Sequence, residues 1–375
     1  MRLGVLAVAS HENGGSFQYT RSTLEALARQ PRLETTIYAP RGNPHYEDLG
    51  LPVRRIAMGR TRQLANALLE PALRYAADPF ASEEAVLAPV YSPLLLRTRK
   101  PFVYTLHDLQ ELHYPEYFSR AQRLWRHHIH KRLTARAARI ICESRWVRAD
   151  VVASLGVSSE RVAVIVAPPM LRRAPSFDAD AVGGVRKRHR LPATFAFYPA
   201  QFWPHKNHLR LVEAFRRVAD RLPEAHLVLT GKKRDAFDEV FARIGELGLT
   251  ERVMHLGYVD DEDLPALYRS ARMLVMPSLF ESVSIPVYEA FQAGTAVAAS
   301  NVVALPEQVG DAGLLFDPRD IGAIADAMTV LFTDDARQRE LGERGARRIA
   351  AMTHERYGEA LVRLLELVAP GDLPS

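Results

Sequence analysis

Residues 273–291 read MLVMPSLFESVSIPVYEAF and pass from a short apolar run through a polar loop into a helical pattern. Pro286 fits only the first turn of a helix, and Ser284 is placed to act as its N-cap. The free N–H groups and the positive dipole end of such a helix start favour an anion, for example a phosphate. The stretch therefore predicts a buried strand at Met273–Met276, followed by a ligand-binding loop and a helix.

The same alternation of strand and helix extends on both sides of this stretch. The predicted strands are Thr194–Pro199, His226–Thr230, Val253–Leu256, Met273–Met276, Ala296–Ser300 and Gly313–Phe316, and the predicted helices are Asn207–Arg221, Asp235–Leu247, Asp261–Ser270 and Pro286–Ala293. Such alternation is typical of parallel strands joined by crossover helices. We expect a doubly wound α/β domain over residues 194–352, with its ligands at the carboxyl ends of the strands.

The first half of the chain repeats this pattern less regularly. Its predicted strands are Leu3–Ala9, Thr35–Ala39, Val86–Val90, Phe102–Leu106, Ile140–Glu143 and Val162–Val166, and its predicted helices are Phe17–Arg29, Ser119–Ala138 and Arg145–Leu155. A second Rossmann-like domain is therefore predicted over residues 1–168. Residues 169–193 contain several prolines, a Gly-Gly pair and a charged run, a composition that predicts an interdomain linker.

Composition limits the class of protein. The 375 residues are 47% hydrophobic and 25% charged, the balance of a soluble globular chain rather than a disordered one. No apolar stretch reaches the roughly 18 residues that a membrane-spanning helix needs. The single cysteine, Cys142, excludes an intrachain disulfide and a cysteine-rich metal site. Because the apolar run Leu3–Ala9 is too short for a signal peptide and no cleavage site follows it, we expect a cytoplasmic protein.

Charge is distributed unevenly along the chain. Residues 1–170 hold 23 Lys and Arg against 15 Asp and Glu, whereas the remaining residues are slightly acidic. A basic half indicates either an anionic partner (a membrane surface, a nucleic acid or an acidic substrate) or ordinary solvated surface charge. No recognised reading module accompanies the charge, so we expect no nucleic acid.

Much of this positive charge lies in Ser119–Arg139, which has seven Lys and Arg, three His and no acid. Trp125, Ile129 and Leu133 form an apolar stripe along it. We favour a helix packed on the sheet with its basic side in solvent. Contact of that outer side with anionic lipid at the inner face of the membrane stays open.

Three groups of side chains follow predicted strands and suit the chemistry of a phosphorylated, hydroxyl-rich ligand. Glu281 and Glu289 flank the helix start, and carboxylates accept hydrogen bonds from sugar and ribose hydroxyls. Lys206, in the stretch YPAQFWPHKNH at 198–208, is placed to neutralise a diphosphate. His107 lies at the end of a predicted buried strand.

Together these segments resemble the retaining GT-B glycosyltransferases of family 4, which transfer a sugar from a nucleotide-sugar. The shared motifs, in chain order, are Gly14-Gly15, His107-Asp108, Glu143-Ser144, Lys206-Asn207, the pair Glu281 and Glu289, and ALPEQVGDAG at 304–313. Within the family, the segments 202–208 and 107–115 are most similar to bacterial mannosyltransferase-type members of polysaccharide assembly.

The resemblance implies a GT-B fold, in which two Rossmann-like doubly wound parallel-sheet domains face a cleft and a last helix, about 353–368, returns to the first domain. It implies transfer of a hexose from a nucleotide diphosphate-sugar, GDP-mannose or similar, to a sugar or lipid-linked acceptor. The anomeric configuration would be retained, and the product would enter cell-surface polysaccharide. We expect no metal and no other cofactor.

The resemblance also implies roles for individual residues. Lys206 would offset the charge of the leaving diphosphate, Glu289 would hold the ribose, and Glu281 would hold the donor sugar. His107 would contact the donor sugar or the acceptor. The remaining expected donor contacts are Gly14, Gly15, Gln201, Ser282, Val283 and Ser284.

The chain departs from the family pattern at two places in the expected donor site. Gln201 stands where an arginine is usual, so a neighbouring cation among Lys232, Lys233 and Arg234 is expected to compensate. Ser282-Val283-Ser284 replaces the usual Gly-Phe-Gly.

Three alternatives to a transferase stay open at this point. One is another GT-B activity, such as an epimerase or a hydrolase, and a second is a non-catalytic subunit that binds a nucleotide-sugar. A dehydrogenase is the third, although no Gly-x-Gly-x-x-Gly follows the first strand.

Overall fold

The computed structural model describes residues 1–11, 14–59, 78–169 and 179–368. The chain divides into two units, one comprising Met1–Pro168 with Met352–Ser375 and the other Pro169–Ala351. Each unit has its own sheet, and every strand pair in both sheets is parallel. The expectation of two doubly wound α/β domains is confirmed.

The first unit contains a sheet in the order β3-β2-β1-β4-β5-β6-β7. Its strands are β1 Arg2–Leu6, β2 Glu34–Pro40, β3 Val53–Ile56, β4 Ala85–Ala88, β5 Phe102–Thr105, β6 Arg139–Cys142 and β7 Val162–Val164. The residues of β4 and β5 are all buried, as expected for strands covered on both faces by helices. The structure adds one strand that sequence reasoning missed, β3, because its VRRI pattern has a charged face at the sheet edge.

The helices of the first unit are α1 Gly15–Ala28, α2 Gln110–His113, α3 Arg120–Arg136, α4 Arg145–Leu155 and, from the end of the chain, α13 His354–Glu366. The last helix packs on α1: the Thr23 and Tyr357 hydroxyls lie 2.9 Å apart, and Ser22 contacts His354 at 3.1 Å. These contacts tie the C-terminal helix to the first unit.

The basic helix α3 begins with a capping box in which Ser119 and Gln122 satisfy each other's backbone N–H groups. Ile129 and Leu133 are fully buried in the core of the unit, whereas Leu124 is 72% exposed. The favoured interpretation, a helix packed on the first unit with its basic side outward, agrees with this burial.

The second unit contains a sheet in the order β10-β9-β8-β11-β12-β13. Its strands are β8 Thr194–Pro199, β9 Ala225–Thr230, β10 Val253–His255, β11 Met273–Met276, β12 Ala296–Ser300 and β13 Gly313–Phe316. Its helices are α5 Ala179–Arg188, α6 His208–Arg221, α7 Phe237–Glu246, α8 Leu264–Ser270, α9 Ile285–Gln292, α10 Leu305–Val309, α11 Ile321–Thr333 and α12 Asp335–Ile349. Because β8 lies between β9 and β11, the loops that follow these three strands meet at one edge of the sheet.

The predicted linker 169–193 differs from the structure in its second part. Residues 170–178 lie outside the described residues, but α5 covers much of the rest. Arg188 and His189 both bind the carboxylate of Asp263, and Val185 is buried. These tertiary contacts hold a helix across Gly183-Gly184, a pair that favours a loop when only local propensity is considered.

Candidate functional site

The loop after β8 places Lys206 at the carboxyl edge of the second sheet. Lys206 ends a 3₁₀ turn, Pro204–Lys206, and α6 begins two residues later, so the lysine precedes the helix rather than opening it. The Asn207 side-chain amide donates to the carbonyls of Pro277 and Pro318, at 2.9 and 2.8 Å. The backbone carbonyl of Lys206 accepts a hydrogen bond from the Tyr198 hydroxyl at 2.7 Å. The turn that carries the lysine is therefore fixed to its surroundings.

The structure brings Lys206 together with Glu281, which follows β11. Their Nζ and Oε1 atoms lie 2.7 Å apart. Glu281 is 8% exposed and the Lys206 side chain is 22% exposed. A half-buried ion pair of this kind places one cation and one carboxylate within reach of the same small ligand.

Glu289 lies on the buried side of α9. It is the fifth residue of the helix, so it occupies the second turn. The Tyr268 hydroxyl donates to its Oε2 at 2.6 Å. Burial raises the pKa of Glu289 to about 7, because the charged carboxylate loses its hydration there. Glu281 and Glu289 therefore have different partners and different electrostatic surroundings.

The start of α9 is held by a residue that sequence reasoning did not single out. The Gln308 side chain accepts from the Ser284 N–H at 2.9 Å and donates to the Ser284 carbonyl at 2.6 Å. Ser284 occupies the N-cap position, as predicted, but its hydroxyl does not cap the helix and has no partner among the described residues. Ser282 and Val283, just before it, are half-buried. Gln308 belongs to the 304–313 motif, which was the available signal.

Gln201, in the same loop as Lys206, contacts a cation from the neighbouring loop. Its Oε1 accepts a hydrogen bond from Arg234 Nε at 2.8 Å. Of the three cations expected to compensate for the missing arginine, Arg234 is the one whose side chain contacts Gln201.

In the first unit, Gly14 immediately precedes α1 and Gly15 is the first residue of that helix. Gly14 has a φ of 51° and a ψ of −117°, a conformation that glycine adopts far more readily than other residues. The helix therefore begins two residues earlier than the sequence predicts, and the glycine pair forms its entrance.

His107 follows β5 and is held at both ring nitrogens. Its Nε2 lies 2.9 Å from the Pro89 carbonyl oxygen, which can only accept, so Nε2 carries a proton. Its Nδ1 lies 2.7 Å from Glu143 Oε2, a carboxylate that is 4% exposed. Burial disfavours the charged ring, yet the hydrogen bond and charge of Glu143 outweigh burial and raise the pKa of His107. Both ring nitrogens thus face an oxygen acceptor, an arrangement that favours the protonated ring.

Within the described ranges, no three His, Cys, Asp or Glu side chains are grouped as a metal site would require. No described helix is both long enough and apolar enough to cross a bilayer.

Comparisons with known proteins agree with this architecture. Residues 186–348 match the family model described as glycosyl transferases group 1, and residues 13–166 match glycosyltransferase family 4. The chain is 30% identical over 236 residues to an O-antigen chain mannosyltransferase B of Escherichia coli, a match that covers 62% of each chain. It is also 30% identical over 210 residues to a serotype-specific mannosyltransferase WbdA of the same organism, covering 55% of this chain and 26% of the relative. The chain thus spans less than two thirds of these curated relatives.

Solved structures show the same fold along nearly the whole chain. A sucrose-phosphate synthase from Thermosynechococcus elongatus has a TM-score of 0.79 at 22% identity and covers 98% of both chains. The Anabaena protein HepE, solved with UDP and glucose, has a TM-score of 0.78 at 18% identity over 98% of this chain and 99% of its own. With both family models matched in order and two parallel-sheet units, this chain belongs to the family 4, group 1 glycosyltransferases of GT-B fold.

Proposed function

We propose that the protein transfers mannose from GDP-mannose to a hydroxyl of a saccharide or lipid-linked saccharide, with retention of the anomeric configuration, in the synthesis of a cell-surface polysaccharide. The observation that carries this proposal is the ion pair of Lys206 and Glu281 at the carboxyl edge of the second sheet. Glu289 is a buried carboxylate on α9, the helix that follows Glu281.

This set of side chains suits the bond that is broken. The leaving group is a nucleoside diphosphate, so negative charge grows on its phosphate oxygens as the sugar departs. Lys206 offsets that charge, and an electrostatic contact of this kind acts most strongly where it is preorganised and shielded from water. Glu281 accepts hydroxyl donors of the sugar and Glu289 those of the ribose, while Ser282, Val283 and Ser284 lie beside the donor.

Residues of the first unit have proposed roles of their own. Gly14 and Gly15 let the phosphates approach the start of α1, where free backbone N–H groups favour an anion. His107 would donate a hydrogen bond to the donor sugar or the acceptor after giving up one of its two protein partners. Because Glu143 favours the protonated ring, we assign His107 an electrostatic role.

The identity of the sugar rests on the relatives. The two Escherichia coli proteins described above are both named mannosyltransferases, one of them for the O-antigen chain. A mannosyltransferase of Mycolicibacterium hassiacum is 35% identical over 133 residues. The structures solved with UDP-sugars are more distant in sequence and support the fold alone.

The exposed side of α3 is the proposed contact with an anionic membrane surface. Its exposed residues include Leu124, Lys131 and two histidines, and Leu112 on α2 is exposed as well. Apolar side chains among basic ones are typical of helices that lie at a lipid interface. We expect the protein to co-sediment with anionic vesicles, and salt to reduce this binding. Leu124→Asp should weaken it as well.

The experiment that tests the function is a donor screen with and without a mannan-type acceptor. We expect release of GDP from GDP-mannose only when acceptor is present, and a product whose anomeric proton signals show retention. Glu281→Gln should abolish turnover, whereas Glu343→Gln, an exposed glutamate on α12, should not. Acceptor-independent formation of free mannose or of an epimer would instead identify a hydrolase or an epimerase. Binding of GDP-mannose without any turnover, across a panel of acceptors, would identify a non-catalytic subunit.

A further inference from the structure

Three consecutive basic residues, Lys232 to Arg234, follow β9 at the carboxyl edge of the second sheet, and each faces an aromatic ring. The cationic groups lie 5.4, 4.5 and 4.9 Å from the ring centroids of Tyr258, Phe237 and Trp203, in that order. None of the three forms an ion pair with any carboxylate that the structure describes. Their charge is therefore available to an anion.

Arg234 is the most firmly placed of the three. It is half-buried, whereas Lys232 and Lys233 are exposed. Its Nε donates to Gln201 Oε1, and its guanidinium lies over the Trp203 ring. Neither terminal Nη nitrogen has an acceptor among the described residues. A guanidinium held from one side, with two parallel donors free on the other, matches the geometry of a phosphate.

The loop that carries Arg234 is docked against the loop that carries Lys206. The Phe202 N–H donates to the Lys232 carbonyl at 3.3 Å, and the Ala236 N–H donates to the Phe202 carbonyl at 3.0 Å. Gly231 has a φ of 115°, and a Cβ there would lie 2.5 Å from the Ala200 carbonyl oxygen. Only glycine permits this approach, so the position of the loop is built into the fold.

The charge balance explains why a second cation is needed. Lys206 is already paired with Glu281, so this pair carries no net charge. A nucleoside diphosphate carries at least two negative charges at neutral pH, and Lys206 must share its single positive charge between Glu281 and the phosphates. Arg234 contacts a neutral amide and an indole ring, so its full positive charge remains for the ligand.

We propose that Arg234 binds the diphosphate of the donor beside Lys206, and that Gln201 and Trp203 are positioning residues that act through it. The inference rests on the proposed nucleotide-sugar donor and identifies the residue that completes its phosphate site. Gln201 thus contributes to phosphate binding without a charge of its own, by fixing the direction of the guanidinium.

The test is calorimetric titration of the full chain with guanosine, GMP and GDP. Arg234→Ala should lower the affinity for GDP at least tenfold while changing the affinity for guanosine less than twofold. Gln201→Ala should lower the affinity for GDP severalfold. Lys233→Ala removes a neighbouring cation that has no polar contact, and we expect it to weaken GDP less than threefold.

Two further variants separate a lost phosphate contact from a disturbed loop. Arg234→Lys should recover part of the affinity for GDP, and so should Gln201→Arg placed in the Arg234→Ala background. Loss of GDP affinity that neither variant restores would overturn the proposal, as would an equal loss for guanosine or for Lys233→Ala.

The proposed function and this inference fail in different ways. Wild-type protein that binds none of GDP, UDP or ADP would refute the donor itself and Arg234 with it. Wild-type protein that binds GDP, together with an Arg234→Ala variant that binds it equally well, would refute only the role of Arg234.

Discussion

Replacing the carboxylate of Glu289 with an amide should stabilise the protein and at the same time weaken its binding of nucleosides. Glu289 is 4% exposed, and burial raises its pKa from 4.5 to about 7. Ionising this side chain therefore destabilises the folded state relative to the unfolded state. Glu289→Gln removes the charge but keeps the size of the side chain and an acceptor for the Tyr268 hydroxyl.

The size of the stability effect follows from the pKa. One pKa unit corresponds to about 1.4 kcal/mol, so ionised Glu289 costs the folded state about 3 kcal/mol. The pKa of Glu289 is higher in the folded chain than in the unfolded one. Its contribution to the free energy of unfolding is therefore fully present below about pH 4.5, where the side chain is neutral in both states, and is lost as the pH rises through about 7. We expect the Gln variant and the wild type to differ little near pH 5. Near pH 8 the variant should melt several degrees higher, since 1 kcal/mol shifts Tm by about 2–4 °C in units of this size.

The effect on binding has the opposite sign. Ribose hydroxyls donate, so they favour the ionised carboxylate, and losing a hydrogen bond to a charged group costs about 1.5–3 kcal/mol. Guanosine should therefore bind Glu289→Gln about 10- to 150-fold more weakly at pH 8. In the wild type its affinity should rise about tenfold between pH 6 and pH 8, because the carboxyl ionises over this range. Guanosine is the better probe than GDP, because it has no phosphate that titrates.

Thermal melts from pH 5 to pH 8 and calorimetric titrations with guanosine check both halves of this prediction. Glu343→Gln serves as the control, because Glu343 is exposed on α12 and its loss should leave both pH profiles unchanged. Melting curves of wild type and Glu289→Gln that stay parallel at every pH would show that the carboxyl is not held neutral by burial. Guanosine affinity that does not depend on pH would show that Glu289 does not bind the ribose.

Three further perturbations test the remaining contacts. Lys206→Ala should weaken GDP more than guanosine in titrations and should lower Tm, since Glu281 loses its ion-pair partner; equal losses for both ligands would exclude a phosphate contact. Glu143→Gln should lower the pKa of His107. The alkaline limb of the pH profile of kcat/KM and the NMR titration of the ring should then move to lower pH, and an unshifted limb would contradict a role for the protonated His107. Gly231→Ala should destabilise the chain and weaken GDP, because the added Cβ collides with a backbone carbonyl; a melt and a GDP titration identical to those of the wild type would show that the loop can shift freely.

The strands of the second unit follow closely from the sequence because they are short apolar runs bounded by polar loops. Predicted and observed bounds coincide at Thr194–Pro199, Met273–Met276, Ala296–Ser300 and Gly313–Phe316. Buried strands covered on both faces need such continuous apolar runs, so the signal is strong wherever the sheet is central. Sequence reasoning did not single out α2, α10, α11 or α12, and it also missed β3 and α5. The last two lie where local composition opposes the tertiary outcome. β3 is an edge strand with charged residues, and α5 contains a Gly-Gly pair.

The sequence indicated which residues are candidates for the site, but it did not indicate which of them contact each other. Lys206, Glu281 and Glu289 were each identified from their positions after strands, yet the pairing of Lys206 with Glu281 joins residues 75 positions apart. No local pattern indicates which carboxylate a lysine will meet. Tyr268 was missed for the same reason, since a tyrosine in a helix is ordinary in sequence, whereas Gln308 lies in the 304–313 motif but was not singled out from it. The choice of Arg234 among three adjacent cations likewise depends on which loop lies beside it.

The pairing of Lys206 with Glu281 also bears on the order in which the parts of a donor are bound. A phosphate that binds Lys206 competes with Glu281 for the same ammonium, whereas a phosphate that binds Arg234 competes with no carboxylate. Once the phosphate shares Lys206, the oxygens of Glu281 become available to hydroxyl donors on the sugar. Diphosphate and sugar binding are therefore expected to be coupled through this one ion pair. Glu281→Gln should raise the affinity for GDP and should lower the affinity for GDP-mannose relative to that for GDP. Titrations in which the variant binds both ligands equally more weakly would show that the two contacts are independent.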